Sequence, residues 1–330
     1  MFDASQTNSL PPDIVNRIKQ LEAKYEAMGQ DLRSYLDGLL YDDFLTYWDY
    51  INLDVLLHLQ RPITPFKDEV IFIIYHQITE LYFKLIVNAL KEITDAASPL
   101  NAEEFTNYLQ RVNSYFDSLI KSFEIMINGM DKEQFLKFRM SLLPASGFQS
   151  AQYRLIEFYA TDLDNLVALA ARGQILPDTG VEEKMELLYW KQGASELATG
   201  KKTLTLKQFE QKYNALFLET AHHHATRNVW QTYRRLPEKE QEFPALIEQL
   251  RLFDHHANVL WPLMHYKSAV RYLQRNPEDI AATGGTNWQK YLPPKNQNII
   301  FFPAIWTETE KSEWGKKAQT EVLSSAYLQK

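Results

Sequence analysis

The chain has 330 residues, 45% hydrophobic and 23% charged, with 42 acids against 35 bases and a net charge of −7; such a composition is globular and long enough for a large core. It contains no cysteine, which excludes disulfides, iron–sulfur clusters, cysteine-held zinc and thiol nucleophiles, and fits a cytoplasmic setting. The acidic balance lacks the basic stripe of nucleic-acid binders, no window approaches 18 consecutive apolar residues as a membrane span requires, and MFDASQTNSLPPD does not read as a secretory signal.

In chain order, Pro11-Pro12 precede a stretch in which Ile14, Ile18, Leu21, Tyr25 and Met28 recur at helical spacing. Pro62 and Pro65 bracket a turn. KDEVIFIIYHQITELYFKLI then opens a helix predicted to run to about Ala96. Pro99 and Asn101 start the next, through AEEFTNYLQRVNSYFDSLIKSFEIMI. A shorter helix, DKEQFLKFRMSLLP, closes at Pro144, and SGFQSAQYRLIEFYA carries another. Arg172 to Gly200 reads as a small helical insertion. Helices are predicted over Thr203–Gln231 and from Glu242 to about Arg275, in spite of Pro262. Hairpin signals are absent, with Gly284-Gly285 the only glycine pair. The reading is all-α and bundle-like, about ten helices in a single main domain. Residues 1–39 form an N-terminal helical segment suited to oligomer contact, 40–295 the main domain, and 296–330 a tail packing on it, its order left open.

Eight histidines are the candidate chemistry. His222, His223 and His224 are consecutive; neighbours diverge on a helix, so three in a row cannot ligate one metal without breaking it. A polar helix face is the plainer reading. His255 and His256 have the same problem, although Asp254 leaves a weak metal case. His58 lies near a helix end and reads as structural. His76 stands one turn after Phe72 and shares its face. His265 has Trp261, Leu263, Met264 and Tyr266 as neighbours. An imidazole in apolar company, with no second ligand one turn away, suits haem iron better than zinc, because haem iron needs only one axial histidine and the porphyrin supplies the rest. A core histidine satisfied by a hydrogen bond is the commoner case, and periodicity leaves both open. Taken singly, Phe72 and Phe135 read as core aromatics, Arg139 as an ion-paired arginine, Thr283 as a turn residue. Lys267, Arg271 and Arg275 read as a solvated stripe near a helix C-terminus, with propionate contact as the alternative.

Five blocks in order, TYWDYINLDVLL, KDEVIFIIYHQITELYFK, FLKFRMSLLPASGFQSAQYRLIEF, WPLMHYKSAVR and AATGGTNW, resemble the tryptophan 2,3-dioxygenase family over residues 40–295. The wording looks most like the branch of Bacteroidetes-type bacteria. The resemblance implies an all-α catalytic domain binding haem b, which inserts both atoms of O2 across the indole C2–C3 bond of L-tryptophan. The product would be N-formyl-L-kynurenine, the first step of the kynurenine pathway. It further implies His265 as the proximal iron ligand and His76 as the distal histidine, hydrogen-bonded to the indole N–H. Phe72 would pack on the indole, Arg139 would bind the carboxylate, and Thr283 would complete the amino-acid end. Ser146 and Gly147 would lie beside the haem. Tyr47, Tyr50 and Ile51 match positions lent across a subunit boundary, which implies a homotetramer, a dimer of dimers, with no nucleic-acid or membrane partner.

Three departures stand out. Phe135 occupies a substrate-site position where many members have tyrosine, so a ring remains without its hydroxyl. Lys67 replaces a histidine before the Asp-Glu pair, and four extra residues separate His265 from Thr283. Phe135 keeps open a related haem enzyme that hydroxylates an aromatic amino acid, tyrosine or a substituted tryptophan. A non-catalytic haem-binding helical protein is the alternative from a different class.

Overall fold

The computed structural model describes residues 10–42, 45–142, 147–194, 201–273 and 293–327, with side chains to 321. They fall into two compact units, Met1–Leu59 and Gln60–Lys330. The division therefore comes after the TYWDYINLDVLL block rather than before it.

The first unit opens with α1 (Pro12–Ala27), whose proline sits where its missing N–H leaves nothing unsatisfied. Gly29 turns the chain at φ 67°, a left-handed conformation that favours glycine. The Asp31 side chain then caps α2 (Leu32–Leu40) by accepting the Arg33 N–H. Short turns follow at Tyr47–Tyr50 and Leu53–Leu57. Leu32 is the only buried residue described in this unit, while Leu39, Leu40, Tyr41, Tyr47 and Trp48 are exposed.

The second unit is built on α3 (Asp68–Thr94), which carries Asp68 and Glu69 in its first turn, where acids complement the helix dipole. Its length and apolarity would also let it cross a membrane. Core helices pass the same test, and Phe83, Ile86, Ala89 and Leu90 of α3 are buried in the main core. A reciprocal Asn101–Glu104 capping box starts α4 (Ala102–Ser122). The predicted single helix through Ile127 breaks at Phe123, and a separate turn covers Glu124–Asn128. Asp131 caps α5 (Lys132–Phe138), and Ser150 caps α6 (Ala151–Ala160). The helix predicted over Thr203–Gln231 is α7 (Leu204–His224); Asn228 then caps a new turn, Val229–Arg234. The helix predicted through Pro262 divides into α8 (Pro244–His255), a π-helical turn His256–Leu260 and α9 (Trp261–Leu273). Proline offers no N–H and crowds the carbonyl one turn back; the wider turn absorbs both.

The main core joins α3, α4, α6, α7 and α8, with Phe83, Phe105, Phe116, Phe158, Phe209 and Phe253 among its members. A smaller cluster gathers Tyr75, Phe123, Met126, Phe138, Tyr272 and Leu273. Met185, Leu188 and Trp190, from the segment read as an insertion, are buried in the main core, so that part of it belongs to the body of the unit. The tail does too: Ile299, Phe301 and Phe302 join the core. Asp254 at the end of α8 fastens it, accepting the N–H groups of Phe301 and Phe302 at 2.8 and 3.1 Å and the Trp306 indole N–H at 2.9 Å. Among the described residues there is no strand; an isolated bridge joins Val167 and Leu188.

Candidate functional site

Phe72 and Phe135 pack against the smaller cluster, and His76 and His265 lie ring to ring with its members Tyr75 and Phe123. On α3, one turn apart, the Phe72 and His76 rings pack tilted against each other with centroids 4.1 Å apart. The His76 Nδ1 lies 2.7 Å from the Phe72 carbonyl oxygen. A carbonyl only accepts, so Nδ1 carries the proton and donates, which leaves Nε2 as an acceptor. Burial lowers the pKa of His76, favouring this neutral tautomer. Tyr75, the next residue back, is buried against Phe123, centroids 5.4 Å apart.

Helix α5 brings Phe135 to 6.2 Å from Phe72 and Phe138 to 5.8 Å, ring to ring. Arg139 begins the 3-10 turn that follows and is only 4% exposed; burial pulls its guanidinium below the usual pKa. The acid pair at the start of α3 holds this arrangement. Asp68 accepts the Asp131 N–H at 2.6 Å and donates its own N–H to the Gln134 side chain at 3.4 Å. Glu69 accepts the Ile63 and Thr64 N–H groups, both at 2.8 Å, fixing the approach to the helix. These two acids therefore bind backbone, and neither is available as a general acid or base.

Helix α9 supplies His265. Its ring is exposed yet lies among protein atoms dense enough to push its pKa down to about 4, by desolvation first and by the nearness of His76 second. Phe123, the residue at which α4 breaks, sits 6.0 Å from it ring to ring. No hydrogen bond to either His265 ring nitrogen is found among the described residues. Gly147 stands beside it: a Cβ added there would lie 3.6 Å from His265 Cε1. Alanine would fit there at ordinary contact distance. Seven residues beyond His265, Tyr272 packs tilted against Phe135 at 4.7 Å, ring to ring, and donates its hydroxyl to the Met130 carbonyl at 3.2 Å.

The structure thus gathers Phe72, His76, Phe135 and the turn bearing Arg139 around one aromatic cluster, with His265 against Phe123 and Gly147 beside the His265 ring. Ser146 and Thr283 lie outside the described residues. Tyr47 and Tyr50 are exposed and Ile51 half-buried on the first unit. His58 bonds through Nδ1 to the Asp54 carbonyl, as a structural histidine does. Phe123 and Tyr272 escaped the sequence reading. Nothing marks Phe123 within an amphipathic run, but Tyr272 is two turns from His265 on one face, a spacing that could have found it.

Chemically, the arrangement offers a neutral imidazole acceptor, a desolvated guanidinium suited to a planar anion, and one imidazole able to ligate a metal without a protein co-ligand among the described residues. The family model described as tryptophan 2,3-dioxygenase matches residues 40–246. A tryptophan 2,3-dioxygenase from Polaromonas sp. (strain JS666 / ATCC BAA-500) is 31% identical over 268 residues, 79% of this chain and 86% of that one. Its namesake from Polaromonas naphthalenivorans (strain CJ2) is 30% identical over 277 residues, 79% and 90% of the two chains. The one from Bordetella parapertussis is 28% identical over 288 residues, 85% and 95%.

Proposed function

Because the chain belongs to the tryptophan 2,3-dioxygenase family, we propose that it cleaves the indole C2–C3 bond of L-tryptophan with O2, giving N-formyl-L-kynurenine, with a haem b ligated by His265. The observation that carries the reading is the pair of imidazoles in one cluster. His76 is held as a neutral acceptor, and His265 has no hydrogen bond to its ring among the described residues. That donor set fits a haem, since a single protein nitrogen is enough when a porphyrin provides four. Gly147, with no side chain to cover the His265 ring, is compatible with it.

The haem supplies the O2 chemistry when bound. The protein's own residues bind and orient the amino acid. Phe72 packs against the indole, and His76 Nε2 accepts the indole N–H. Arg139 pairs with the carboxylate through its planar fork, in surroundings where desolvation strengthens that contact. His76 need not remove the proton: the indole N–H is a very weak acid, and orientation alone is a large contribution. Ser146 and Thr283 complete the haem side and the amino-acid end in this reading. Tyr47, Tyr50 and Ile51 come from a neighbouring copy in a homotetramer. The absence of cysteine suits the reducing cytoplasm as its place of work.

The test is aerobic turnover of L-tryptophan by the haem-reconstituted protein under reducing conditions, followed by the absorbance of N-formylkynurenine. A hydroxylated amino acid as product would replace this reading with the one that Phe135 left open. A red protein that yields no product would replace it with a binding protein.

A further inference from the structure

Away from this cluster, a second group of imidazoles converges where α3 and α7 end. Asp95 caps the C-terminus of α3, and His223 and His224 close the last turn of α7. One ligand atom from each of the three lies within 4.8 Å of the other two. His222 turns aside to Glu182, 2.8 Å from its Nε2, so the expectation that consecutive histidines diverge holds for the first of the three and fails for the other two.

The surroundings of the three donors differ in a way that points to a ligand. His224 is 3% exposed, packed tilted against the Tyr159 ring at 4.1 Å, and its buried Nδ1 has no hydrogen-bond partner. Such an orphaned nitrogen is an uncompensated cost in the fold as it stands. Asp95 and His223 are exposed, so the group has a floor of one buried imidazole and a rim open to solvent. His223 Nε2 lies 3.2 Å from an Arg227 guanidinium nitrogen; a guanidinium only donates, so that nitrogen carries a lone pair.

We propose that Asp95, His223 and His224 form a binding site for a divalent transition-metal ion of zinc(II) type, with a fourth position open to water. Two imidazoles and one carboxylate suit zinc and its neighbours and are a poor set for calcium or magnesium, which prefer oxygen. Zinc ligands about 2.0–2.1 Å from the metal stand roughly 3.3 Å apart in a tetrahedron. The donors would therefore close by at most about 1.5 Å, a movement two exposed side chains at helix ends can make. Burial and the neighbouring His223 hold the His224 pKa at about 4, which keeps its lone pair available near neutrality. Lys91 and Arg227 also face His224 and oppose a cation, while Asp95 favours one; the Arg227 N–H must yield Nε2 of His223 or leave it to ligate through Nδ1. The ion would join the ends of two core helices, independently of the dioxygenase reading.

The test uses the full-length, haem-loaded protein, so that His265 is occupied, freed of stray metal with a chelator. Zinc(II) alone is titrated in calorimetry, with the bound metal counted after dialysis. One zinc per chain is expected, with affinity reduced at least tenfold in Asp95→Asn and in His223→Ala, both surface changes. His222→Ala should leave it unchanged. No bound zinc, or binding that survives both variants, or equal loss in His222→Ala, overturns the site.

Discussion

His76 and Arg139 are both polar groups set into aromatic surroundings, and each has a single arrangement in which it can serve. His76 is fixed by a bond to the carbonyl four residues before it on its own helix, so its tautomer follows from helix geometry. Arg139 is buried, and its charge gains most from a carboxylate that replaces lost water. We expect Arg139→Ala to weaken tryptophan binding by about 2–5 kcal/mol, read by titrating substrate into the haem protein; near-normal affinity would remove Arg139 from the site. His265→Ala should leave the purified protein without its Soret band while circular dichroism stays helical, and an undiminished band would send the search to another axial ligand. At this scale the sequence was legible through joint order alone. Neither periodicity nor composition distinguishes His265 from a satisfied core histidine, because the distinction lies in which of its nitrogens finds a partner. The roles of Phe123 and Tyr272 depend on contacts across helices, which spacing within one helix does not encode.

Helices whose boundaries are set by caps were readable, and those whose boundaries are set by packing were not. Asn101 with Glu104, Asp131, Ser150 and Thr203 each mark a start that the sequence announces. The break at Phe123 and the end of α7 at His224 carry no such signal ahead of them. Asp254 shows how an element can depend on one buried group. Burial raises its carboxyl pKa to about 6, against the opposing pull of the Phe301 N–H and its other donors. The folded chain therefore binds this proton more tightly than the unfolded chain, so its contribution is full below the ordinary 3.8 and is lost as pH rises through about 6. The melting temperature of the wild type relative to Asp254→Asn should accordingly rise as pH falls across that window; a difference independent of pH would refute the assignment. Asp254→Ala should cost about 3–5 kcal/mol, since several donors lose their acceptor at once, and should free the tail to limited proteolysis.

For the whole molecule, the all-α class was legible because a long chain with few glycines and strong helical periodicity admits little else. The organisation was less so: the tail and the supposed insertion contribute core residues, and burial depends on partners far along the chain. The first unit poses the opposite question. A unit of this size normally needs a core of its own, yet among its described residues only Leu32 is buried and many large apolar side chains face outward. Surface of that kind calls for a covering partner, and a second copy is the partner that fits the proposed sharing of Tyr47, Tyr50 and Ile51. Light scattering should return four times the 38.6 kDa protomer mass, and removal of residues 1–39 should lower it. A monomer at micromolar concentration would contradict the tetramer.

The widened turn ahead of α9 settles which way the chain faces afterwards. Five residues wound at the π pitch lag an α-helix by roughly a quarter of a revolution. Asp254 and His265, eleven positions apart, would share a side in an unbroken helix; instead the aspartate looks toward Phe301 and Trp306 and the imidazole toward Phe123. Deleting one residue between 256 and 260 would tighten the winding and swing the whole downstream segment round its axis, carrying the His265 imidazole away from Phe123 without altering a single side chain there. The direction in which the His265 imidazole faces is thus a matter of phase, set upstream by a miscount that the fold keeps.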